Sequence, residues 1–202
     1  MKFRIRSTEI SVSYLLICLA ALSIIITSFK GFILCLFSVV VHESGHILVM
    51  CILGYPPCRI KLSPFEISIT DSARHKRKFF ENLLIIISGP FFNLICFILF
   101  YLLYLFCDDL FFPLAAANLS VGLFNLIPVM SLDGGQLLFL ILCRRFSEKS
   151  AERAVNVITF IFIFPLAAMG FLLLLKSKYN FSLLFVCVYL VFSLVFKNNK
   201  YF

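Results

Sequence analysis

The sequence predicts an all-α integral membrane protein with six transmembrane helices and a small cytoplasmic β-hairpin between the second and third helices. Two observations lead to this fold class. Hydrophobic residues make up 62% of the 202 residues and charged residues only 14%, which lies far outside the range of soluble domains. In addition, the chain contains six apolar runs of about the 20 residues that a helix needs to cross a bilayer.

The apolar runs define the predicted spans in chain order. The first follows three basic residues in the manner of a signal peptide, but no small-x-small cleavage site follows it, so we interpret it as an uncleaved anchor. No polar stretch is long enough for a second domain, and we expect residues 1–202 to form a single membrane-embedded domain. The six spans are 10–29, 31–53, 82–107, 110–128 with a continuation near 134–143, 154–175 and 181–196.

The basic residues predict the orientation of these spans. With the amino terminus in the cytoplasm, 15 of the 18 lysines and arginines fall in cytoplasmic segments, and only Lys30, Lys176 and Lys178 lie outside. The positive-inside rule favours this arrangement, a multi-pass protein of the cell membrane with both termini in the cytoplasm. The net charge of +8 is therefore a topology signal. We expect no nucleic-acid partner, because no basic module interleaved with aromatic residues is present.

The segment between the second and third spans has a different pattern. Gly54, Pro56 and Pro57 end the second apolar run. Residues 58–70 then partly alternate polar and apolar side chains, which is typical of strands, with an interruption at Pro64. A short hairpin at the cytoplasmic face is one interpretation, and a plain connecting loop is the other.

Two histidines and a glutamate lie inside the second apolar run, in the stretch VVVHESGHILVM. His42 and His46 are four residues apart, so on a helix they project from the same face, with Glu43 beside them. His-Glu-x-x-His is the pattern of zinc hydrolases, in which the histidines bind the metal and the glutamate acts as general base. The alternative is a hydrogen-bonded histidine pair with a buried glutamate, as in a proton relay.

A hydrolytic zinc site with two histidines needs a third protein ligand and leaves the fourth position for water. The other histidine, His75, lies in a basic loop, and the acidic residues other than Glu43 and Asp133 fall in loops or at span ends. Near Asp133, Pro128 and the pair Gly134-Gly135 allow a helix to unwind and turn a carboxylate inward. Asp133 is therefore the expected third ligand of one Zn²⁺, or else it only caps a short helix.

Further polar residues interrupt the apolar runs. Asn125 lies in the same interrupted region as Asp133 and could either bind a substrate backbone or serve packing. Ser88 and Asn93 are interpreted as helix-packing and hydrogen-bonding residues. The eight cysteines show no Cys-x-x-Cys spacing, so neither a disulfide framework nor a thiolate zinc site is expected.

Taken together, these stretches resemble the site-2 protease family, the intramembrane zinc metalloproteases of peptidase family M50. The likeness is closest to the stage IV sporulation FB-type subgroup, whose member in spore formers releases an active sigma factor from a membrane-associated precursor. The resemblance covers about residues 30–155. The stretches that carry it are HESGH at 42–46, CRIKLSPF at 58–65, SGPFFN at 88–93, NLSVGLFNLIP at 118–128 and NLIPVMSLDGG at 125–135.

The resemblance implies a three-helix catalytic core formed by spans 2–4, with spans 1, 5 and 6 peripheral and the active site inside the bilayer toward the cytoplasmic side. It implies that His42, His46 and Asp133 bind zinc, that Glu43 is the catalytic base and that Asn125 contacts the substrate. The implied partner is a membrane-tethered protein, for example a pro-sigma or anti-sigma factor, with an inhibitory or activating membrane protein as a further partner. No PDZ or CBS domain is expected in the chain.

Two other functions are compatible with the same residues. One is an ion or proton transporter that uses His42, Glu43 and Asp133, although no paired half-structures or second acidic span supports it. The other is a zinc-binding but inactive membrane partner protein, in which a purely structural zinc ion has no need of Glu43. Ion flux without peptide cleavage would distinguish the first, and zinc binding without turnover the second.

Overall fold

The computed structural model of the chain describes residues 2–5, 8–12, 29–62, 67–70 and 77–176. The predicted span 181–196 and most of the predicted span 10–29 lie outside the described residues. The chain divides into two units, residues 1–125 and 126–202, and each unit is described by itself.

The described residues are mostly helical, as predicted, but the first unit also contains a four-stranded sheet where the sequence predicted only a hairpin. Its strand order follows the sequence, β1-β2-β3-β4. Strands β1 and β2 pair antiparallel, as do β3 and β4, whereas β2 and β3 are parallel. The strands are β1 (Lys2–Ile5), β2 (Thr8–Val12), β3 (Arg59–Leu62) and β4 (Ile67–Thr70).

The alternation in residues 58–70 agrees with β3 and β4, which pair antiparallel with Arg59 opposite Thr70. Their position at the cytoplasmic face stays a prediction. The predicted start of the first span at Ile10 is wrong, because Ile10 belongs to β2. The run Thr-Glu-Ile-Ser-Val alternates and contains β-branched residues, a local pattern that favours a strand over a helix.

Three helices follow in the first unit and confirm the helical nature of the second, third and fourth predicted spans. They are α1 (Phe29–Ile52), α2 (Phe79–Phe106) and α3 (Phe112–Asn125), with a single 3-10 turn, Asp109–Phe111, before α3. Among the described residues, α1 and α2 are the two helices long and apolar enough to cross a membrane. The prediction of six spans extends beyond what these two helices establish.

The connection between α1 and α2 is fixed at both ends. After α1, Gly54 adopts a positive φ of 82°, which glycine tolerates because it lacks a Cβ. The Tyr55 hydroxyl donates to the carboxylate of Glu81 at 3.0 Å, and Glu81 also accepts from the backbone N–H of Lys78 at 2.7 Å at the start of α2. The hydrogen bond to Glu81 raises the pKa of Tyr55.

Helices α1, α2 and α3 pack against one another, and small residues allow the close approach. A Cβ on Gly45 would lie 2.8 Å from the carbonyl oxygen of Ser88, and a Cβ on Gly122 would lie 3.2 Å from the Cβ of Asn93. Small residues at helix interfaces of membrane proteins let backbones approach in this way. The buried residues between these helices include polar ones, and these form the site described below.

The second unit contains the helices α4 (Asp133–Leu142) and α5 (Glu148–Lys176), as the continuation near 134–143 and the span 154–175 predicted. The two helices pack against each other. Their core joins Met130 and Phe139 to Ala151 and Val155 of α5.

The irregular segment 126–132 lies directly on the first turn of α4. A Cβ on Gly134 would lie 2.6 Å from the carbonyl oxygen of Ile127, and a Cβ on Gly135 would lie 2.6 Å from the Cα of Met130. Only glycine fits at these two positions. The backbone N–H of Met130 donates to Thr159 Oγ1 of α5 at 3.1 Å, and the Thr159 side chain is fully buried.

Replacement of Thr159 by valine should destabilise the second unit. Valine keeps the shape of threonine but removes the acceptor, and a buried N–H without a partner costs about 1–3 kcal/mol. Thermal unfolding of the detergent-solubilised protein should therefore show a lower midpoint for Thr159→Val than for Thr159→Ser, which keeps the hydroxyl. Equal midpoints for Thr159→Val and the wild type would contradict this role.

Candidate metal centre

The two histidines of the HESGH stretch lie on one face of α1, as their spacing predicted. They are almost completely buried, with His42 3% and His46 9% exposed. A buried imidazole needs a hydrogen-bond partner for each polar ring atom. The partners therefore determine which ring nitrogen carries the proton.

The Nδ1 atom of His42 lies 2.9 Å from Oδ1 of Asn93 on α2. The orientation of the Asn93 amide follows from its other contacts, because its Nδ2 donates to the carbonyl oxygen of Ser38 at 3.1 Å and to Oδ1 of Asn118 at 3.3 Å. Since Oδ1 of Asn93 can only accept, His42 is protonated at Nδ1. Its Nε2 then holds the lone pair that can ligate a cation.

A backbone carbonyl plays the same part for His46. Its Nδ1 donates to the carbonyl oxygen of Ile85 at 2.7 Å, and Ser88 Oγ donates to the same oxygen at 2.6 Å. The carbonyl lies next to a local interruption of α2, because Pro90 within the helix lacks the N–H that would bond to Ile86. His46 is therefore also protonated at Nδ1 and carries its lone pair on Nε2.

The two Nε2 atoms lie 3.2 Å apart. Two lone pairs that face each other at this distance repel, and a shared cation removes the repulsion. Tetrahedral zinc with Zn–N bonds of about 2.0–2.1 Å places two nitrogen ligands about 3.3–3.4 Å apart. The separation of the imidazole nitrogens therefore fits a zinc site.

Gly89 of α2 makes room for the imidazole pair. A Cβ on Gly89 would lie 2.7 Å from Cε1 of His46 and 2.8 Å from Cε1 of His42. Both distances are shorter than real Cβ contacts. The glycine of the SGPFFN stretch is thus required by the space that the rings occupy.

Glu43 follows His42 on α1 and is half-buried. One residue corresponds to about 100° of rotation around a helix. The Glu43 side chain therefore leaves α1 beside the two imidazole rings, and it does not lie between α1 and the hydrogen-bond partners of these rings. A carboxylate that is neither fully buried nor fully exposed can reach both a metal-ligand face and water. This position is compatible with the predicted general base.

Asp133 is the first residue of α4 in the second unit, and it is half-buried. The N-cap of this helix is Leu132. Asp133 is therefore not the cap residue, and the alternative in which it only caps a short helix is wrong. At the first helical position the carboxylate is stabilised by the positive end of the helix dipole. Its place as the third metal ligand beside His42 and His46 stays a prediction.

Asn125 is the last residue of α3 and is half-buried. Its Nδ2 donates to the carbonyl oxygen of Val121 in the same helix at 3.0 Å, so this contact orients the amide along the helix. Its role in substrate binding stays a prediction. His75 lies outside the described residues.

The sequence did not single out Asn118, and it gave Asn93 and Ser88 roles in helix packing and hydrogen bonding without linking them to the histidines. Asn93 and Asn118 are fully buried, and the contacts of Asn93 and Ser88 with the imidazole rings tie them to the candidate metal centre. The signal that the sequence offered for these residues was an asparagine inside an apolar run, where burial of a side-chain amide without a hydrogen-bond partner is unfavourable in free energy. The pattern could not show which partner each amide would find.

Comparison with known proteins agrees with this geometry. The profile of peptidase family M50 matches residues 107–168. The chain is similar to a zinc metalloprotease of Methanocaldococcus jannaschii, with 32% identity over 160 residues that cover 73% of this chain and 46% of the relative. It is also similar to stage IV sporulation protein FB of Bacillus subtilis, with 28% identity over 138 residues that cover 67% of this chain and 48% of the relative.

A solved structure shows the same fold. The site-2 protease from Methanocaldococcus jannaschii superposes with a TM-score of 0.74 and 26% sequence identity, covering 100% of this chain and 97% of that chain. The chain is therefore similar to members of peptidase family M50, and one of these relatives bears the name zinc metalloprotease. The chain spans about half the length of the two relatives matched by sequence.

Replacement of Gly89 by alanine should disrupt the candidate metal centre. The added methyl group overlaps both imidazole rings and must displace them, so zinc affinity should fall by about tenfold or more, the scale seen when groups that orient metal ligands are lost. Zinc affinity of the purified protein, measured by competition with a chromophoric chelator, tests this. Leu94→Ala, at a 44% exposed position of the same helix, is the control and should bind zinc as the wild type does.

Proposed function

We propose that this chain is an intramembrane zinc metalloprotease that hydrolyses a peptide bond in or near the transmembrane segment of a membrane-associated substrate. The observation that carries the proposal is the buried imidazole pair of α1, with both Nδ1 atoms used as donors and the Nε2 atoms 3.2 Å apart. Similarity to peptidase family M50 supports the peptidase chemistry. The proposal covers a chain that spans about half of its sequence relatives.

In this proposal His42, His46 and Asp133 hold one zinc ion. Two neutral imidazoles and one carboxylate form a donor set that catalytic zinc uses, with a position left open for the reaction. When bound, zinc acts as a Lewis acid toward the scissile carbonyl and makes water more acidic. The burial of the histidines keeps this chemistry in a medium of low dielectric constant, where electrostatic effects are strong.

Glu43 acts as the general base. Its carboxylate accepts a proton from the attacking water as the new C–O bond forms, and then gives this proton to the nitrogen of the leaving amine as the peptide C–N bond breaks. The half-buried position of Glu43 on α1 supports this role, because the base must remain reachable by water. The Nδ1–H donors of the histidines are held by Asn93 and Ile85, so they take no part in the proton transfer.

The substrate must present an extended segment, because the carbonyl groups of a helix are hydrogen-bonded and shielded. The β3–β4 hairpin could hold such a segment by strand addition, since β4 is a terminal strand in the order of the sheet. Asn125 would then bind the substrate backbone. We propose a membrane-tethered protein as substrate, such as a pro-sigma or anti-sigma factor, and a membrane protein that inhibits or activates cleavage as a further partner.

The proposed location is the cell membrane, with a multi-pass topology, both termini in the cytoplasm and the active site toward the cytoplasmic side. The support is the distribution of charge, since 15 of the 18 basic residues fall on the side assigned to the cytoplasm. Helices α1 and α2 supply two candidate spans within the described part of the chain. The large apolar side chains that α1 and α2 expose are suited to contact with lipid.

Replacement of Glu43 by glutamine should abolish cleavage while the metal site remains loaded. Glutamine has nearly the same shape but cannot accept the proton, and loss of a general base costs about 10²–10⁴-fold in rate. Cleavage of a membrane-tethered test substrate in liposomes, with zinc analysis of the same sample, measures both effects. Zinc retention with full activity in Glu43→Gln would contradict the mechanism, and chelator treatment of the wild type is the matched control.

Replacement of Asp133 by alanine should remove one ligand and lower the zinc content of the purified protein. The Glu43→Gln protein is the comparison, because it changes a neighbouring carboxylate without changing the proposed ligands. Metal analysis after dialysis against a weak chelator should give less zinc for Asp133→Ala than for Glu43→Gln. Equal zinc contents would show that the third ligand has been assigned wrongly.

A further inference from the structure

A continuous chain of buried polar side chains links helices α1, α2 and α3. It runs from His42 through Asn93 to Asn118, and these side chains are 3%, 0% and 0% exposed. Burial of an amide in an apolar interface is unfavourable unless its hydrogen bonds are satisfied, and an apolar side chain would fill the same space at lower cost. The two asparagines therefore call for a role beyond packing.

The chain has a defined direction at every link. Asn118 Nδ2 donates to the backbone carbonyl of Leu114 at 2.9 Å, which turns Oδ1 of Asn118 toward Asn93. Asn93 donates to that oxygen and to the carbonyl of Ser38, which turns its own Oδ1 toward His42. The chain therefore ends on two backbone carbonyls, which can only accept. A flip of either amide would bring acceptor against acceptor.

We propose that Asn93 and Asn118 are positioning residues for the metal centre, a role that rests on the proposed function. Asn93 holds His42 as the Nδ1–H tautomer, so that Nε2 presents a lone pair and not a hydrogen to the ion. Asn118 acts through Asn93 by fixing the orientation of its amide. Helix α3 thus contributes to the metal centre through Asn118, which is not itself a ligand. Partners of this kind orient metal-ligating histidines and raise their basicity.

The two histidines differ in this respect. His46 donates to the backbone carbonyl of Ile85 at 2.7 Å, with Ser88 Oγ at 3.4 Å, so neither partner belongs to the asparagine chain. His42 depends on the Asn93 amide. Substitutions in the asparagine chain should therefore change the tautomer of His42 and leave His46 protonated at Nδ1, which provides an internal control.

Zinc affinity tests the role. The full chain in detergent, stripped of metal, is titrated with zinc against a chromophoric chelator. Asn93→Leu removes the acceptor at similar volume and should bind zinc about 10–100-fold more weakly than the wild type. Asn93→Asp keeps an oxygen toward His42 and, when protonated, a donor toward Ser38, so it should bind more tightly than Asn93→Leu. Asn118→Leu, which acts indirectly, should show a smaller loss.

Nitrogen-15 NMR of the histidine rings in the metal-free protein separates positioning from a general structural effect. The wild type should show His42 protonated at Nδ1, whereas Asn93→Leu should show a mixture of His42 tautomers with His46 still protonated at Nδ1. If Asn93→Leu fails to fold, Asn93→Asp and Asn118→Leu supply the same comparison.

Zinc binding as tight as wild type in Asn93→Leu, with an unchanged His42 tautomer, would overturn the inference alone. A wild-type protein that takes up no zinc would overturn the proposed function and this inference together. Peptide cleavage by the wild type, measured in parallel, tells the two failures apart.

Discussion

Burial of two imidazole rings between apolar helices is the constraint on which the first unit depends. Each ring has two nitrogen atoms, and inside such an interface each nitrogen needs a partner of its own. Asn93 and the carbonyl of Ile85 take the Nδ1 hydrogens, so both lone pairs converge on one point. The packing of α1 against α2 is therefore arranged around the chemistry of the rings.

Close helix approach follows from that arrangement. Gly45 lets the backbone of α1 contact the carbonyl of Ser88, and Gly89 leaves the space in which the rings lie. Gly122 brings α3 near Asn93, which lets the asparagine chain cross from one helix to the next. A larger side chain at any of these positions would separate polar partners that the interior cannot leave unpaired.

In the second unit, the polar groups that need partners belong to irregular backbone. The peptide groups of segment 126–132 are not part of a helix, and buried backbone groups need hydrogen-bond partners. The Thr159 hydroxyl accepts a hydrogen bond from the backbone N–H of Met130. Gly134 and Gly135 have no Cβ, which allows the segment to pack directly against the first turn of α4. This fixes the point at which Asp133 begins its helix. Precise placement of a carboxylate thus relies on a helix, α5, that carries none of the predicted site residues.

The sequence by itself determined the apolar character of the chain, the helices described between residues 29 and 176 and the shared face of His42 and His46. These features depend on hydrophobicity and on the period of a helix, which are local properties. Alternation also indicated strands in residues 58–70, but the sequence assigned Ile10 to a helix because hydrophobic content outweighed the short alternating pattern there.

Only the tertiary structure decided how the ring nitrogens are used and why Asn93, Asn118 and Thr159 are buried. Each of these side chains finds its partner on another helix or in a distant turn. The direction of each hydrogen bond depends on the next donor and acceptor along the network, and a pattern of residues along one helix contains no information about a partner that folding brings from another.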